Sequence, residues 1–391
     1  MKRASIVFIF SLFVCLLTSV TTVQAGGFSL YEWSNKSVGM GTVGYAIALD
    51  PSVIATNPAL MTDLEGSQAM AGAVFIAPRT DITINGETES LKSNTFMVPH
   101  AYFTHQLNDV AWFGIGMFTR FGLGIEYNDD FMAGWEAQKV KLTTTSINPS
   151  VAFQLTDELS VGGGVELVLG DFEHEFIRGA GFKIDAEGYA FSGNLGAKYQ
   201  FTDELSAGLS ARLPLSFHGN GNVTGGANGD IDVYADLPAS ITLGLGFQPT
   251  EDWTFEFDVV HTRWDSLKTL DYEGTINSKS KFYYKNTWRL QAGAEYAALD
   301  WLDLRAGVVW DQTPIRQEHA SVLLPSNDRL MFSTGLGFHG EQWFVDTSFM
   351  YIMVRDRYGV NVETSPAGAV ANADFTGGTT YVGGVNAGFT F

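Results

Sequence analysis

The last part of the chain, residues 381–391, alternates between apolar and small or polar side chains and ends on an aromatic residue. In an extended strand, Tyr381, Val385 and Phe389 fall on one face, whereas Gly384 and Asn386 fall on the other. An apolar outer face with a small or polar inner face suits the wall of a β-barrel embedded in lipid. Any half-buried sheet alternates in this way, so the interpretation depends on the rest of the chain.

Other segments repeat the alternation, including residues 205–213, 253–259 and 302–311. In the last of these, Asp303, Arg305 and Asp311 fall on the face opposite the apolar residues. Hydrophobic residues make up 45% of the chain, yet no long apolar run follows residue 25. Because a barrel distributes its apolar residues by alternation, the sequence predicts an all-β, antiparallel transmembrane barrel.

Short polar turns and longer polar connections divide these segments. The short turns are at residues 107–109, 156–158, 202–204, 249–252, 298–300 and 340–342. The longer connections are at residues 79–95, 127–139, 177–183, 219–236, 265–281, 314–328 and 356–378. Hairpins at the short turns, with one strand before and one after them, predict about 14 strands. Trp112, Trp253, Trp301 and Trp343 closely follow four short turns, which predicts an interfacial aromatic girdle.

The N-terminus is typical of a secretory signal peptide. Lys2 and Arg3 precede an apolar stretch, and small residues before Gly26 predict cleavage near Ala25. The only cysteine, Cys15, lies inside residues 1–25, so the mature chain is expected to form no disulfide.

The chain is acidic, which argues against some partners. Without Lys2 and Arg3, the 23 basic residues become 21 against 43 acidic ones, giving a net charge of −22. Nucleic-acid binding requires a basic surface, so nucleic acid is excluded as a partner. The charge fits a bacterial surface in contact with outer-membrane lipid and lipopolysaccharide, although solubility of the outer loops explains it equally.

Residues 26–66 do not alternate and contain two proline dipeptides, so they are poor strand material. Apolar residues such as Trp33, Ile54 and Leu60 argue against a disordered tail and need a surface to pack on. The sequence therefore predicts three parts: a signal peptide over 1–25, a plug in the lumen over 26–66, and a barrel over 67–391.

Motifs inside the predicted plug resemble those of the FadL/TodX family of outer-membrane transporters for long-chain fatty acids and other hydrophobic compounds. The motifs are residues 39–41 and Asn57, Pro58, Ala59 and Leu60, and similar matches continue at 284–289, 310–314 and 324–329. The resemblance implies a monomeric barrel of about 14 strands with a plug, called the hatch. It also implies a third strand, here about 112–127, that kinks inward and opens the wall.

That resemblance places the kink at Thr119, Arg120, Phe121 and Gly122, where glycine permits a break in the pleat. A glycine that fills a crowded lumen is the alternative. The family's implied mechanism is passive: a hydrophobic ligand is captured outside, enters a deeper pocket and leaves sideways through the gap beside strand three. Movement of the hatch near Asn57 connects the pocket to the gap.

The resemblance also points to candidate site residues. Arg178 and either Lys279 or Lys281 are candidates to bind a ligand carboxylate, because a buried anion needs a cation. Phe121, Phe131 and Trp135 are candidates to line the outer groove, with girdle packing as the alternative. Asp311 is expected to couple with the hatch near Asn57, Pro58 and Ala59, or else to pair with Arg305.

No motif indicates catalysis, a cofactor or a metal. Glu173, His174 and Glu175 look like a metal cluster, but neighbours in a strand face opposite sides. The predicted function is passive uptake of hydrophobic molecules such as long-chain fatty acids. The alternatives are uptake of monoaromatic hydrocarbons, a general polar porin, and a surface receptor.

Overall fold

The computed structural model describes residues 27–178, 180–364 and 369–391, so the predicted signal peptide lies outside the described residues. Two short helices, α1 (Asn35–Gly39) and α2 (Val53–Thr56), and a 3-10 helix, Pro58–Asp63, precede the first strand. The strands are β1 (Ser67–Ile84), β2 (Glu87–Ser90), β3 (Phe96–Gln106), β4 (Ala111–Phe118), β5 (Gly122–Glu126), β6 (Lys139–Gln154), β7 (Leu159–Arg178), β8 (Ala180–Thr202), β9 (Leu205–Arg212), β10 (Leu215–Gly225), β11 (Gly229–Leu237), β12 (Ser240–Thr250), β13 (Trp253–Thr262), β14 (Thr269–Gly274), β15 (Ser278–Lys281), β16 (Thr287–Leu299), β17 (Leu302–Asp311), β18 (Arg329–His339), β19 (Trp343–Val354), β20 (Arg357–Glu363) and β21 (Val370–Thr390). Two further 3-10 turns are Trp264–Ser266 and Gln317–His319.

These strands form a closed antiparallel barrel whose wall has 14 strands, which confirms the predicted fold class and strand number. Seven wall strands are each built from two pieces, namely β2 with β3, β4 with β5, β9 with β10, β11 with β12, β13 with β14, β15 with β16, and β19 with β20. The barrel closes where β21 pairs with β1, from Gln68 opposite Thr390 to Ile84 opposite Ala373. Closure leaves no sheet edge at this seam, as a wall in lipid requires.

Side-chain exposure follows the alternation along the strands. In β12, Ile241 and Leu243 are 54% and 51% exposed on the outer face, whereas Thr242 between them is 3% exposed. In β17, Asp303, Arg305 and Asp311 face inward, as the sequence predicts. The outer face therefore presents apolar side chains to lipid, and the polar side chains meet inside.

Several of the predicted long connections are wrong. Within 177–183, the described residues belong to β7, which ends at Arg178, and β8, which begins at Ala180, and most of 219–236 belongs to β10 and β11. These strands continue as hairpins with polar outward side chains such as His218, Asn220 and Asp232. Main-chain hydrogen bonds do not require apolar side chains, so strands above the bilayer lose the apolar alternation that marks a spanning segment.

The predicted tryptophan girdle is correct for three residues and wrong for the fourth. Trp253, Trp301 and Trp343 are 39%, 52% and 46% exposed on the outer wall. Trp112 instead points inward, is 3% exposed, and donates its indole N–H to the Leu64 carbonyl oxygen at 2.9 Å. Both faces of β4 carry large apolar residues, so the sequence does not reveal which face is inner.

Residues 27–66 lie inside the barrel, against the inner faces of strands from opposite sides of the wall. Glycines on those faces make room for them. A Cβ added at Gly162 of β7 would lie 2.7 Å from the Ala59 nitrogen, and one at Gly208 of β9 would overlap the Tyr45 carbonyl. On β13, Glu256 Oε1 accepts N–H groups from residues 44, 45 and 46 at 3.1, 2.5 and 2.8 Å.

Apolar contacts hold the same segment to the wall. Ile54, Leu60 and Met61 are fully buried and pack with Tyr102 of β3 and Phe118 of β4. Among the described residues, the helices are too short and too polar to cross a bilayer. The packing positions the start of the chain, residues 27–33, beside the junction between β4 and β5.

Candidate functional site

The wall is interrupted between β3 and the upper half of its neighbour. β4 pairs with β3 from Gln106 opposite Trp112 to Ala101 opposite Met117. After residues 119–121, β5 pairs with β6, and no pairing joins it to β3 in the described chain. Even-numbered residues face inward in β4, whereas Ile125 of β5 is buried on the inner side. The break thus changes which face is inner and leaves residues 96–100 of β3 without a partner strand on that side.

Residues 27–33 cover this break, in part through main-chain hydrogen bonds. Leu30 donates its N–H to the Arg120 oxygen at 2.9 Å, and Gly122 donates to the Phe28 oxygen at 3.0 Å. These bonds make Ser29 and Phe121 an antiparallel bridge pair. The indole N–H of Trp33 also donates to the Thr119 oxygen at 2.8 Å.

A cavity of about 520 Å³, here called the lateral cavity, occupies the gap. Its inner lining includes Ile76, Val98 and Met331, whose side chains face the lumen. Its outer lining includes Met97 and Thr145, on the outward faces of β3 and β6. The lining of this cavity therefore includes residues from both faces of the wall.

A second cavity, the apolar pocket, lies deeper in the lumen and has a volume of about 70 Å³. Its lining is almost wholly apolar, and it shares Phe28, Leu123 and Leu142 with the lateral cavity. Its other lining residues include Val168, Phe217, Leu237, Leu267 and Leu323. The free energy of an apolar molecule falls when it leaves water for surroundings of this kind.

A third cavity, the outer cavity, has a volume of about 340 Å³ and is lined by Arg178, Trp135 and Tyr272. It shares Phe282, Tyr284 and Leu323 with the apolar pocket, and Leu324 lines all three cavities. Burial raises the pKa of the Tyr284 phenol above its ordinary value, so this shared rim stays uncharged. The three cavities therefore adjoin one another through shared lining residues, from Arg178 in the outer cavity to the gap in the wall.

The structure brings some of the predicted ligand-binding residues together in the outer cavity. The Arg178 guanidinium lies 4.9 Å from the ring centres of both Trp135 and Phe176. Lys279 and Lys281 also line this cavity, but the Lys279 ammonium is paired with Asp271 and the side chain is 58% exposed. Arg178 is exposed as well, but none of the described ion pairs involves it, whereas Asp271 pairs with Lys279.

Two predicted aromatic residues are packed inside the protein. Phe131 is 6% exposed and stacks on Tyr127 with 4.0 Å between ring centres. Phe121 is 1% exposed and lies edge-on to Phe28, 6.0 Å away. Both residues support the walls of the route and do not present free surface to an incoming ligand.

Asn57, Pro58 and Ala59 lie at the inner wall below the cavities and are fully buried. The Asn57 amide donates to the Tyr45 oxygen at 2.8 Å and to the Ala197 oxygen of β8 at 3.0 Å, and its oxygen accepts the Ala59 N–H at 3.2 Å. The bond to Ala197 joins the predicted hatch motif to the wall, and the other two hold the motif within the N-terminal segment.

Asp311 was expected to couple with the hatch near Asn57 or else to pair with Arg305, and the pairing with Arg305 is wrong. Its carboxylate pairs with Arg289 at 3.2 Å and with Arg329 at 3.3 Å. Arg305 instead binds Glu295, Asp303 and Asp346. Asp311 still reaches the N-terminal segment indirectly, because Arg289 donates to the Thr42 hydroxyl at 2.7 Å and Arg329 donates to the Gly27 oxygen at 3.2 Å.

His174 has different partners from its acidic neighbours Glu173 and Glu175, which both pair with Lys183. His174 faces inward, where its ring nitrogens lie 2.9 Å from the Tyr272 hydroxyl and 3.0 Å from the Glu136 oxygen. Glu173 faces outward and pairs with Lys139 and Lys183.

Sequence reasoning missed Phe28 and Leu324, which line adjoining cavities, because only the fold brings these distant segments together.

Comparison with known proteins agrees with this geometry. The sequence model of the family described as outer membrane protein transport protein (OMPP1/FadL/TodX) matches residues 16–391. The long-chain fatty acid transport protein of Escherichia coli O6:H1 is 25% identical, over 95% of this chain and 96% of that protein. Outer membrane protein P1 of Haemophilus influenzae is 27% identical, over 89% of this chain and 92% of that protein.

Solved structures show the same fold at low sequence identity. A FadL homologue from Pseudomonas aeruginosa superimposes with a TM-score of 0.85 at 18% identity, covering 94% of this chain and all (100%) of that one. The toluene transporter TodX of P. putida gives 0.76 at 18% identity, covering 93% and 99%. The match over nearly the whole length confirms the predicted outer-membrane location and the family resemblance: the chain belongs to the outer membrane protein transport protein family (OMPP1/FadL/TodX).

Proposed function

We propose that this protein takes up hydrophobic molecules passively, through the outer cavity, the apolar pocket and the lateral cavity in turn. The observation that carries the proposal is the contiguity of the three cavities, which have Leu324 in common. Capture in an apolar pocket is favourable because apolar surface leaves water. Release through the wall delivers the ligand to lipid, so it does not return to water at the end of the route.

The chemistry of the outer cavity favours a ligand with a carboxylate and an apolar tail, such as a long-chain fatty acid. Arg178 supplies a cation next to two aromatic rings, and the apolar pocket follows directly. The named activities of the fatty-acid relatives point in the same direction. Monoaromatic hydrocarbons are the alternative, because the apolar pocket by itself does not require a charged group on the ligand.

Residues 26–66 are proposed to act as a hatch whose described part, 27–66, must shift at the break for the ligand to leave. Support comes from the hydrogen bonds of Leu30 and Gly122, which join this segment to both sides of the break. A polar porin would need an open lumen, whereas residues such as Val38, Ile54 and Leu60 fill this one and are fully buried. One barrel contains the entire route, so we propose that the protein works as a monomer in contact with lipid and lipopolysaccharide.

The lateral exit can be tested by blocking it from the outside. Thr145 lies on the outward face of β6 and lines the lateral cavity. Thr145→Trp should fill the exit and raise the activation free energy of release. We expect uptake of radiolabelled oleate to fall about tenfold, because the rate falls exponentially as that free energy rises. Gly122→Trp, at the inner side of the gap, should act similarly but would also press on Leu30.

Thr347→Trp is the matched control, because Thr347 lies on the outward face of β19, remote in the wall from β6. It should leave uptake unchanged. Wild-type uptake by Thr145→Trp, in a folded barrel, would contradict lateral release. Failure of the wild-type protein to take up either oleate or toluene would contradict the proposed function as a whole.

A further inference from the structure

One side chain joins the breaks of three of the interrupted wall strands. The breaks are residues 119–121 between β4 and β5, 213–214 between β9 and β10, and 238–239 between β11 and β12. The last two face each other, because Arg212 is opposite Ser240 below them and Leu215 is opposite Leu237 above them. Main-chain carbonyls at such breaks leave the strand ladder and need other donors.

Arg120, in the first break, supplies those donors from across the lumen. Its Nη2 donates to the Leu213 oxygen at 2.8 Å and to the Pro238 oxygen at 3.1 Å. Its Nη1 lies 3.3 Å from Glu166 Oε2 and 3.2 Å from the Ser192 hydroxyl. The Arg120 side chain is 4% exposed and that of Glu166 is 0% exposed, so these interactions are made away from water.

We propose that Arg120 is the positioning residue that holds the third wall strand away from β3. Its partners lie on β7, β8 and the two opposite breaks, so every one of its hydrogen bonds draws the break into the lumen. Among the described strands, β5 pairs with β6 alone, and an unpaired strand edge tends to find another partner. The Arg120 guanidinium opposes such pairing, because moving it away would leave the Pro238 carbonyl without this donor and the Leu213 carbonyl with Ser192 as its side-chain donor.

Arg120 and Glu166 also belong to a charged layer below the apolar pocket. Glu166 also binds Arg212 at 3.1 Å and the Ser146 hydroxyl at 2.7 Å, and Arg212 donates to the Ala55 oxygen of α2. This charged layer lies between Val168 of the apolar pocket and the N-terminal segment. Entry of an apolar ligand into a charged layer costs free energy, so the gap beside β5 is the favourable outlet. This consequence rests on the proposed function.

Hydrogen exchange of the purified protein, followed by mass spectrometry, tests the positioning role without any ligand. In Arg120→Met, Glu166 keeps Arg212 and Ser146 as partners, so the buried carboxylate stays satisfied. We expect amides in residues 119–126 to exchange about tenfold faster, which corresponds to the loss of one charge-assisted hydrogen bond. Arg120→Lys, which can bind Glu166 but not both carbonyls, should give a smaller increase.

Arg212→Met is the matched control, since Arg212 belongs to the same layer and shares Glu166, but its other contacts are the Ala55 oxygen and the rings of Trp33 and Phe118, outside residues 119–126. It should leave exchange in 119–126 unchanged. The proposal is overturned if Arg120→Met exchanges like wild type, or if Arg212→Met accelerates 119–126 equally. Should Arg120→Met fail to fold, wild-type exchange in Arg120→Lys overturns it.

Uptake supplies a second readout. Arg120→Met should bind oleate with wild-type affinity but transport it about tenfold more slowly, because the pocket is intact and the exit is not positioned. If Arg120→Met alters exchange but transports oleate normally, the coupling of this position to uptake is refuted. If wild-type protein transports nothing, the proposed function fails, whereas the exchange experiment still decides the role of Arg120.

Discussion

Single charged residues divide this lumen into parts with different chemistry. Asp311 pairs with both Arg289 and Arg329 at the inner side of the lateral cavity. Arg178 stands instead between aromatic rings at the outer end. A cation that contacts aromatic faces remains able to bind an anion, whereas arginines held by a buried carboxylate are already paired. The residues thus favour entry of an anionic headgroup at one end of the route.

The first prediction concerns Arg178 and uses Lys279 as its control. Arg178→Ala should weaken oleate binding to the purified, delipidated protein by up to about tenfold, since one charge-assisted hydrogen bond to the carboxylate is lost. Toluene carries no charge, so its binding should not change. Titration calorimetry or a fluorescent-ligand displacement assay would measure both affinities.

Lys279→Ala removes a lysine from the same cavity, but that lysine is exposed and already pairs with Asp271. Exposed ion pairs contribute little, so oleate affinity should change by less than about twofold. Equal losses in the two variants would indicate a diffuse electrostatic effect and not a headgroup site. Binding of toluene alone would assign the protein to aromatic hydrocarbons.

At the scale of elements, the decisive feature is a five-residue strand, β5, that is displaced from the wall and covered by the N-terminal segment. The pairing of Ser29 with Phe121 is of the type without direct hydrogen bonds between the two residues. In such pairs the Cα atoms are about 4.5 Å apart, which lies within the range that a disulfide accepts. The segment can therefore be locked experimentally.

The second prediction is that a disulfide between Ser29→Cys and Phe121→Cys stops uptake reversibly. The oxidised protein should transport no oleate, because the N-terminal segment cannot leave the break, and reduction should restore transport. The mature chain is expected to contain no other cysteine, so mispairing within the chain is not a concern. The two single-cysteine variants, insensitive to oxidant, are the controls. Normal transport by the oxidised double variant would show that the segment need not move there.

Sequence patterns predicted the elements in lipid better than those outside it. Alternation located β9, β13 and β17 because lipid selects apolar residues on every second position. It failed for β10 and β11, whose outward residues meet water and are polar. It also gave no position for the inner face of β4, since Phe113 and Ile115 are as apolar as the inward Trp112 and Phe118.

The candidate site was less predictable than the fold. Family resemblance pointed to Arg178 and Trp135, which the structure places in one cavity. It did not reveal the partners of Asp311, because several inward carboxylates and arginines can pair in many ways until the strand registers are known. The hydrogen bonds from Arg120 to the Leu213 and Pro238 oxygens likewise cross the lumen, so the local sequence does not predict them.

At the scale of the whole molecule, the N-terminal segment blocks the straight path through the barrel and covers the break in its wall. Glu256 and the inner glycines hold the N-terminal segment in the lumen, and the layer of Arg120, Glu166 and Arg212 closes the floor of the apolar pocket. The lateral cavity reaches both faces of the wall. A hydrophobic solute that needs no water-filled channel is the cargo such a barrel suits.

The most direct test of this account is photo-crosslinking of the wild-type protein in outer-membrane vesicles with a fatty acid that carries a photoreactive group on its tail. The crosslinked residues are then identified by mass spectrometry. The account predicts adducts in all three cavities: near Arg178, near Leu324 and Phe28, and at the outward rim near Met97 and Thr145. Adducts that continue below the floor, at Ala55 or Asn57, without any at the outward rim, would contradict lateral release.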